Sequence, residues 1–175
     1  MAAAEAGKAA GLLFLATVIQ ASLVSGVIIF GGSPDLLLVT LVAVALLRGS
    51  FAGAIGGFFA GLVLDTATLS TLGLSSLLLT LAGYWIGRYG ETTGRDRAHA
   101  PFVSVGVVTV LYALGALLLH FVLGEPAPAR AVLIDGLLPA VALNLLLTAP
   151  VYAIVRRVLR PVSWTDRTSE VRLLG

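Results

Sequence analysis

Six apolar stretches alternate with short polar gaps along a chain of 175 residues. They cover about residues 9–30, 36–47, 50–64, 72–87, 101–123 and 131–155. The first and fifth contain no charge over twenty-two and twenty-three residues. A helix crossing a bilayer needs roughly 20 apolar residues. The pattern predicts an all-α, polytopic membrane protein, a compact bundle of six transmembrane helices. The second and third stretches are short. Twelve residues at about 1.5 Å each rise only about 18 Å, against a hydrocarbon core of about 30 Å. Spans this short must thin the bilayer, recruit flanking residues or shelter against longer neighbours. They predict a short hairpin between the second and third helices, turning at Arg48-Gly49. Fusing them into one helix would place Arg48 in lipid at about 2.5–3.5 kcal/mol and would leave eight arginines outside. The first stretch exceeds the about 7–15 apolar residues of a signal peptide and is read as a retained helix. The chain is thus expected to be one integral membrane domain over residues 1–175, with a basic cytoplasmic tail at 156–175.

Charge fixes the expected orientation. Only 11% of residues are charged and 58% are hydrophobic, whereas soluble domains carry about 25% charged residues. With the N-terminus placed in the cytoplasm, the inner segments hold Lys8, Arg48, Arg88, Arg95, Arg97, Arg156, Arg157, Arg160, Arg167 and Arg172. The outer segments hold Arg130 alone. Cytoplasmic loops carry the excess of Lys and Arg, so both ends of the chain are expected inside. Tyr84, Trp85, Tyr89, Phe51 and Phe102 then mark the inner interface, and His120 and Phe121 the outer one. The tail is expected to lie along the anionic inner leaflet or to be disordered.

Small and polar residues form stripes. Gly49, Gly53, Gly57 and Gly61 recur every four residues, and Asp65 continues the row. Lipid tails do not drive helices together, so close backbone approach through small residues must. The row is either internal packing or a docking groove for another protein's helix. Other stripes are Ser76, Thr80, Gly83 and Gly87; Ser104, Tyr112, Ala116 and His120; Gly136, Ala140, Asn144 and Thr148; and Thr17, Gln20, Ala21 and Ser25. Asn144 and Gln20 are costly at depth and each needs a partner. Pro150 predicts a kink in the last helix. Asp35, after Pro34, and Asp135 read as helix starts. Asp65 sits where the helix macrodipole disfavours an acid, so it is either a cap or ion pair within the bundle or a specific contact.

Catalytic signatures do not appear. The sequence has no phosphate-binding loop and no His–acid metal spacing, and no cysteine. The loop at 88–100 is too short to fold alone. The expectation is no enzyme, no cofactor, no metal and no nucleic-acid partner.

The segment Gly57-Phe58-Phe59-Ala60-Gly61-Leu62-Val63-Leu64-Asp65, followed by Leu72-Gly73 and by Tyr84 near the end of the next helix, resembles the G-F-x-x-G-x-x-x-D…L-G motif of the MreD family of rod-shape-determining membrane proteins. Pro34-Asp35 before a short apolar helix ending in a basic residue, and Asn144 in the last helix, are similar too. Ser70-Thr71 stand where members often carry Gly-Ser. The resemblance implies a fold like the six-helix substrate-binding subunits of ECF-type vitamin transporters. It implies a non-catalytic scaffold in the bacterial cytoplasmic membrane that binds the transmembrane helix of MreC. Through MreC it would reach RodA, a class B penicillin-binding protein and MreB, and support lateral peptidoglycan synthesis in the elongasome. The alternative is a small-molecule-binding subunit of a vitamin-type transporter, with an outward polar cavity near Asp65 and Asp135.

Overall fold

Leu-Leu-Leu-Val-Thr-Leu-Val-Ala-Val-Ala-Leu-Leu, opening the second apolar stretch, is hydrophobic on every side of a helix, and such a helix must be buried. In the computed structural model, which describes residues 2–24, 26, 28–29, 31–93, 99–124 and 136–159, this segment is the centre of the bundle. The six α-helices are α1 (Ala2–Ile19), α2 (Leu36–Arg48), α3 (Ser50–Thr68), α4 (Leu74–Thr93), α5 (Ala100–Leu123) and α6 (Leu137–Val158). Every residue of α2 from Leu37 to Leu47 is buried. Helices α1, α3, α4, α5 and α6 all pack against it. The shortness of α2 is therefore accommodated by protein: its flanks meet longer helices rather than lipid.

Among the described residues three helices, α3, α5 and α6, are long and apolar enough to cross a membrane, and α2 is a shorter apolar helix. Helix α3 is longer than its apolar run suggests. It continues through Asp65 to Thr68 and ends at Leu69 in the left-handed conformation (φ 53°), whose N–H bonds to the Asp65 carbonyl. The hairpin thus has one short arm, α2, and one of 19 residues. Helix α1 starts earlier than its uncharged run, at Ala2, and carries Glu5 and Lys8 on its first turns. It ends earlier as well: a single π-helical turn follows at Gln20–Val24, and Ile29 and Gly32 close a tight turn through paired backbone hydrogen bonds. Helix α4 begins after Leu72-Gly73 and runs on through Arg88 to Thr93. Tyr84 and Trp85 therefore lie two turns inside its end. Helix α6 is continuous through Pro150. Arg130, Asp135, Arg95, Arg97 and most of the tail lie outside the described residues.

Gly49 joins α2 to α3 without an intervening loop. Its φ of +93° is a conformation that a side chain strains and glycine does not. Two acids hold this corner. Glu5 of α1 pairs with Arg48 and with Lys8, the latter at 2.7 Å. Glu91 of α4 accepts from the Ser50 backbone N–H at 2.8 Å and from its hydroxyl at 3.0 Å. The Lys8 ammonium, and after it Arg48, hold the Glu5 carboxyl below the ordinary range. At Glu91 burial opposes ionisation, but the Ser50 donors and Arg88 outweigh it and lower the pKa.

Candidate functional site

The chemistry-bearing side chains gather in two clasps, and both act on backbone. The first joins α3 to α4. Helix α4 lies along the glycine row of α3 with backbones in contact. A Cβ built on Gly57 would stand 2.2 Å from the Leu79 carbonyl oxygen, one on Gly53 2.3 Å from that of Gly83, and one on Gly61 2.4 Å from the Ser76 Cα. Gly87 meets Gly49 and Ser50 in the same way. The predicted stripe of α4, Ser76, Thr80, Gly83 and Gly87, is thus the surface that fills the predicted row of α3. The row is occupied from within the chain, and no open groove remains along it. Ser76 also donates its hydroxyl to the Phe58 carbonyl at 2.9 Å, across the pair.

Asp65 closes this contact at the C-terminal end of α3. It has no solvent exposure. Its carboxylate accepts from the backbone N–H of Gly73 at 2.9 Å, of Ser75 at 3.3 Å and of Ser76 at 3.4 Å. The Ser70 hydroxyl donates at 3.3 Å. These are the orphan donors at the start of α4. The apparent misplacement of an acid at the C-terminal turn of α3 is thereby explained. Antiparallel packing brings the carboxylate to the positive end of the neighbouring helix. Gly73, at φ +92°, lets the chain turn so that its N–H faces Asp65.

The second clasp holds the N-terminus of α2 in the interior. Asn144 of α6 accepts from the Asp35 backbone N–H at 2.7 Å and donates to the Thr109 hydroxyl of α5 at 3.1 Å. Gln20, first residue of the π-helical turn, accepts from the Leu36 N–H at 2.8 Å and donates to the Pro34 carbonyl at 3.3 Å. Asp35 caps its own helix through the Leu38 N–H at 2.8 Å. Three otherwise orphaned donors at depth are therefore bonded, each by a different side chain, and α1, α2, α5 and α6 are tied at one point. Gly32 fits under the start of α6, where a Cβ would meet the Ala140 nitrogen at 2.5 Å.

Of the residues singled out from sequence, Gly49, Gly53, Gly57, Gly61, Asp65 and Gly73 converge on the α3–α4 contact, and Pro34, Asp35 and Asn144 on the start of α2. Phe58, Leu72 and Tyr84 face outward. Phe58 stacks edge-on against Phe59 at 5.3 Å, Tyr84 likewise against Trp85 at 5.7 Å, and Leu72 is 69% exposed beside Gly73. Glu5, Glu91 and Thr109 were not legible as site residues. For Glu91 the signal was present: an acid three residues after Arg88, at the end of an apolar helix.

Asn144→Leu is expected to lower stability by about 2 kcal/mol, because the half-buried Asp35 N–H and the buried Thr109 hydroxyl each lose a partner. Thermal melts in detergent check this. A melting point within a degree of wild type would show that Asn144 does not hold the corner.

These features define a helical membrane protein whose intramembrane polar groups are committed to positioning its own helices. The sequence profile of the family described as rod shape-determining protein MreD matches residues 9–162. The chain belongs to the MreD family, a family of shape-determining structural membrane proteins whose role is rod shape determination. No curated protein and no solved structure matches the chain.

Proposed function

We propose that this protein is a non-catalytic scaffold of the bacterial cell-elongation machinery, crossing the cytoplasmic membrane six times with both chain ends inside. It binds the transmembrane helix of MreC, and through MreC it supports RodA, a class B penicillin-binding protein and MreB in lateral peptidoglycan synthesis. The family match over nearly the whole chain carries the reading. Two features of the fold support it. The polar groups of both clasps are spent on backbone, which suits a rigid support. Every described Lys or Arg lies in the first two turns of α1 or in the last two turns of α2, α4 or α6, the placement that six crossings with an inner N-terminus require.

Since α4 fills the glycine row, a partner helix must use another face. The strip between α1 and α3 suits one. Ala10, Phe14, Ile55, Gly56, Phe59 and Val63 border an apolar cavity of about 260 Å³ there. MreC is expected to co-purify with the wild type from detergent and to be lost, at least tenfold, from an Ala10→Trp, Val63→Trp double variant with an unchanged melting point. Undiminished retention by that folded variant overturns the assigned face. Absence of MreC from the wild-type preparation overturns the reading itself. Because the chain has no cysteine, single cysteines at Ser70 and Thr92 report topology directly. Impermeant maleimide on intact spheroplasts should label the first and spare the second.

A further inference from the structure

At the end of α6 the chain places Arg156 and Arg157 side by side, and both are exposed. The ion pairs among the described residues are Glu5–Lys8, Glu5–Arg48 and Arg88–Glu91. The five described Lys and Arg residues thus fall into two groups: Lys8, Arg48 and Arg88 face acids, whereas Arg156 and Arg157 border a cavity. That cavity, about 560 Å³, lies between the start of α5 and the last turns of α6. Pro101, Phe102, Tyr152 and Ala153 wall it together with the two arginines, and no acid among the described residues lines it. Its walls therefore have two characters. The part toward the helix middle is apolar apart from Thr148, whose hydroxyl is committed to the Asn144 carbonyl at 2.7 Å, and it has Phe102 exposed with Ala149 and Ala153 beside it. The part toward the helix end carries two fixed positive charges.

From this the geometry points to a binding site for an anionic glycerophospholipid between α5 and α6, with its phosphate on Arg156 and Arg157 and an acyl chain against Phe102, Ala149 and Ala153. Each part of that ligand meets its chemical match. Arginine presents a planar fork of donors suited to phosphate oxygens, and basic pockets between helices at the inner membrane surface take such headgroups. A free phosphate would leave the apolar wall uncovered, and a neutral zwitterionic lipid would bring a cation against two others. The inference rests on the reading that the helices cross the bilayer with this end inside, which the cysteine-labelling experiment tests separately. A bound lipid at this position would bridge α5 to α6.

The full-length protein, purified in a mild detergent, would be examined by native mass spectrometry and thermal melts against phosphatidylglycerol, phosphatidylcholine and inorganic phosphate. Phosphatidylglycerol should be retained and should raise the melting point, while phosphatidylcholine and millimolar phosphate should not. An Arg156→Gln, Arg157→Gln double variant should bind phosphatidylglycerol roughly 25-fold more weakly, since each juxtamembrane arginine contributes about a fivefold preference for an anionic surface. Arg88→Gln should bind as the wild type does, which separates a site from general loss of charge. Equal retention by the double variant, an equal loss in Arg88→Gln, or equal stabilisation by phosphatidylcholine overturns the assignment. Stabilisation by phosphate alone overturns the lipid part of it and identifies a soluble anion as the occupant.

Discussion

Gly57→Leu is expected to prevent the bundle from assembling. Even the smaller change, Gly57→Ala, places a methyl group 2.2 Å from the Leu79 carbonyl oxygen and 2.9 Å from the Thr80 nitrogen. Both are backbone atoms of α4, so no rotamer change relieves the clash and the two helices must part. Parting breaks the Gly53–Gly83 and Gly61–Ser76 contacts with it, because all three lie on one straight row. Overpacking usually costs about 1–3 kcal/mol. Rigid backbone on both sides puts Gly57→Ala at or above the upper end, about 3 kcal/mol, and Gly57→Leu beyond recovery as a monodisperse protein. The control is Gly11→Leu, where nothing lies within 4 Å of the added carbon and little change is expected. Size-exclusion profiles and thermal melts in detergent separate the outcomes. A stable, monodisperse Gly57→Leu would show that α3 and α4 do not pack backbone to backbone. Loss of MreC from this variant would report the fold and not a partner surface, because the surface in question belongs to α4.

Asp65→Ala is expected to have the next largest effect. It deprives two buried backbone N–H groups (Ser75 and Ser76), the half-buried Gly73 N–H and the exposed Ser70 hydroxyl of their acceptor. A buried unsatisfied donor costs about 1–3 kcal/mol. Two of the three amide bonds are long, at 3.3 and 3.4 Å, so the sum falls short of the full count. About 3–5 kcal/mol is expected, with the first turn of α4 frayed. Asp65→Asn keeps one accepting oxygen but turns an amide donor toward other donors, and should lie between alanine and wild type. Hydrogen exchange distinguishes the cause from a general loosening. Protection should fall at Gly73, Ser75 and Ser76 before it falls at Leu79 and Gly83. Wild-type protection at those three amides in Asp65→Ala would remove the capping role.

Asp65 also shows how far the residues could be read in one dimension. An acid four positions after a row of glycines, at the end of an apolar helix, is visibly out of place, and its type says that donors must surround it. Nothing local says which donors. They lie eight to eleven residues on, across a turn, and become neighbours only because the glycine row lets two backbones touch. Gln20 and Asn144 followed the same logic: each plainly needed a partner at depth. The partner proved to be the half-buried start of α2, the shortest of the described α-helices.

The glycine row shows the complementary limit. Its spacing dictates close approach of some helix, but the four-residue period is equally satisfied by a helix of another protein. Only the arrangement in space settles that α4 occupies it, and the physical reason is covalent: a tight turn at Leu69–Gly73 keeps α4 at a high effective concentration beside α3, where its own small stripe fits.

What the order of residues determined without help is the class of molecule, because apolar run length and the lopsided placement of cations act on each helix separately and need no partner to be felt. It also determined which residues had to be satisfied, since the cost of an unpaired polar group or an unfilled groove is a property of the residue and its depth. What tertiary structure alone decided is who satisfies whom. The central place of α2, the pairing of α3 with α4 and the two clasps depend on groups distant in the chain meeting at hydrogen-bond range, and that is set by how all six helices pack at once.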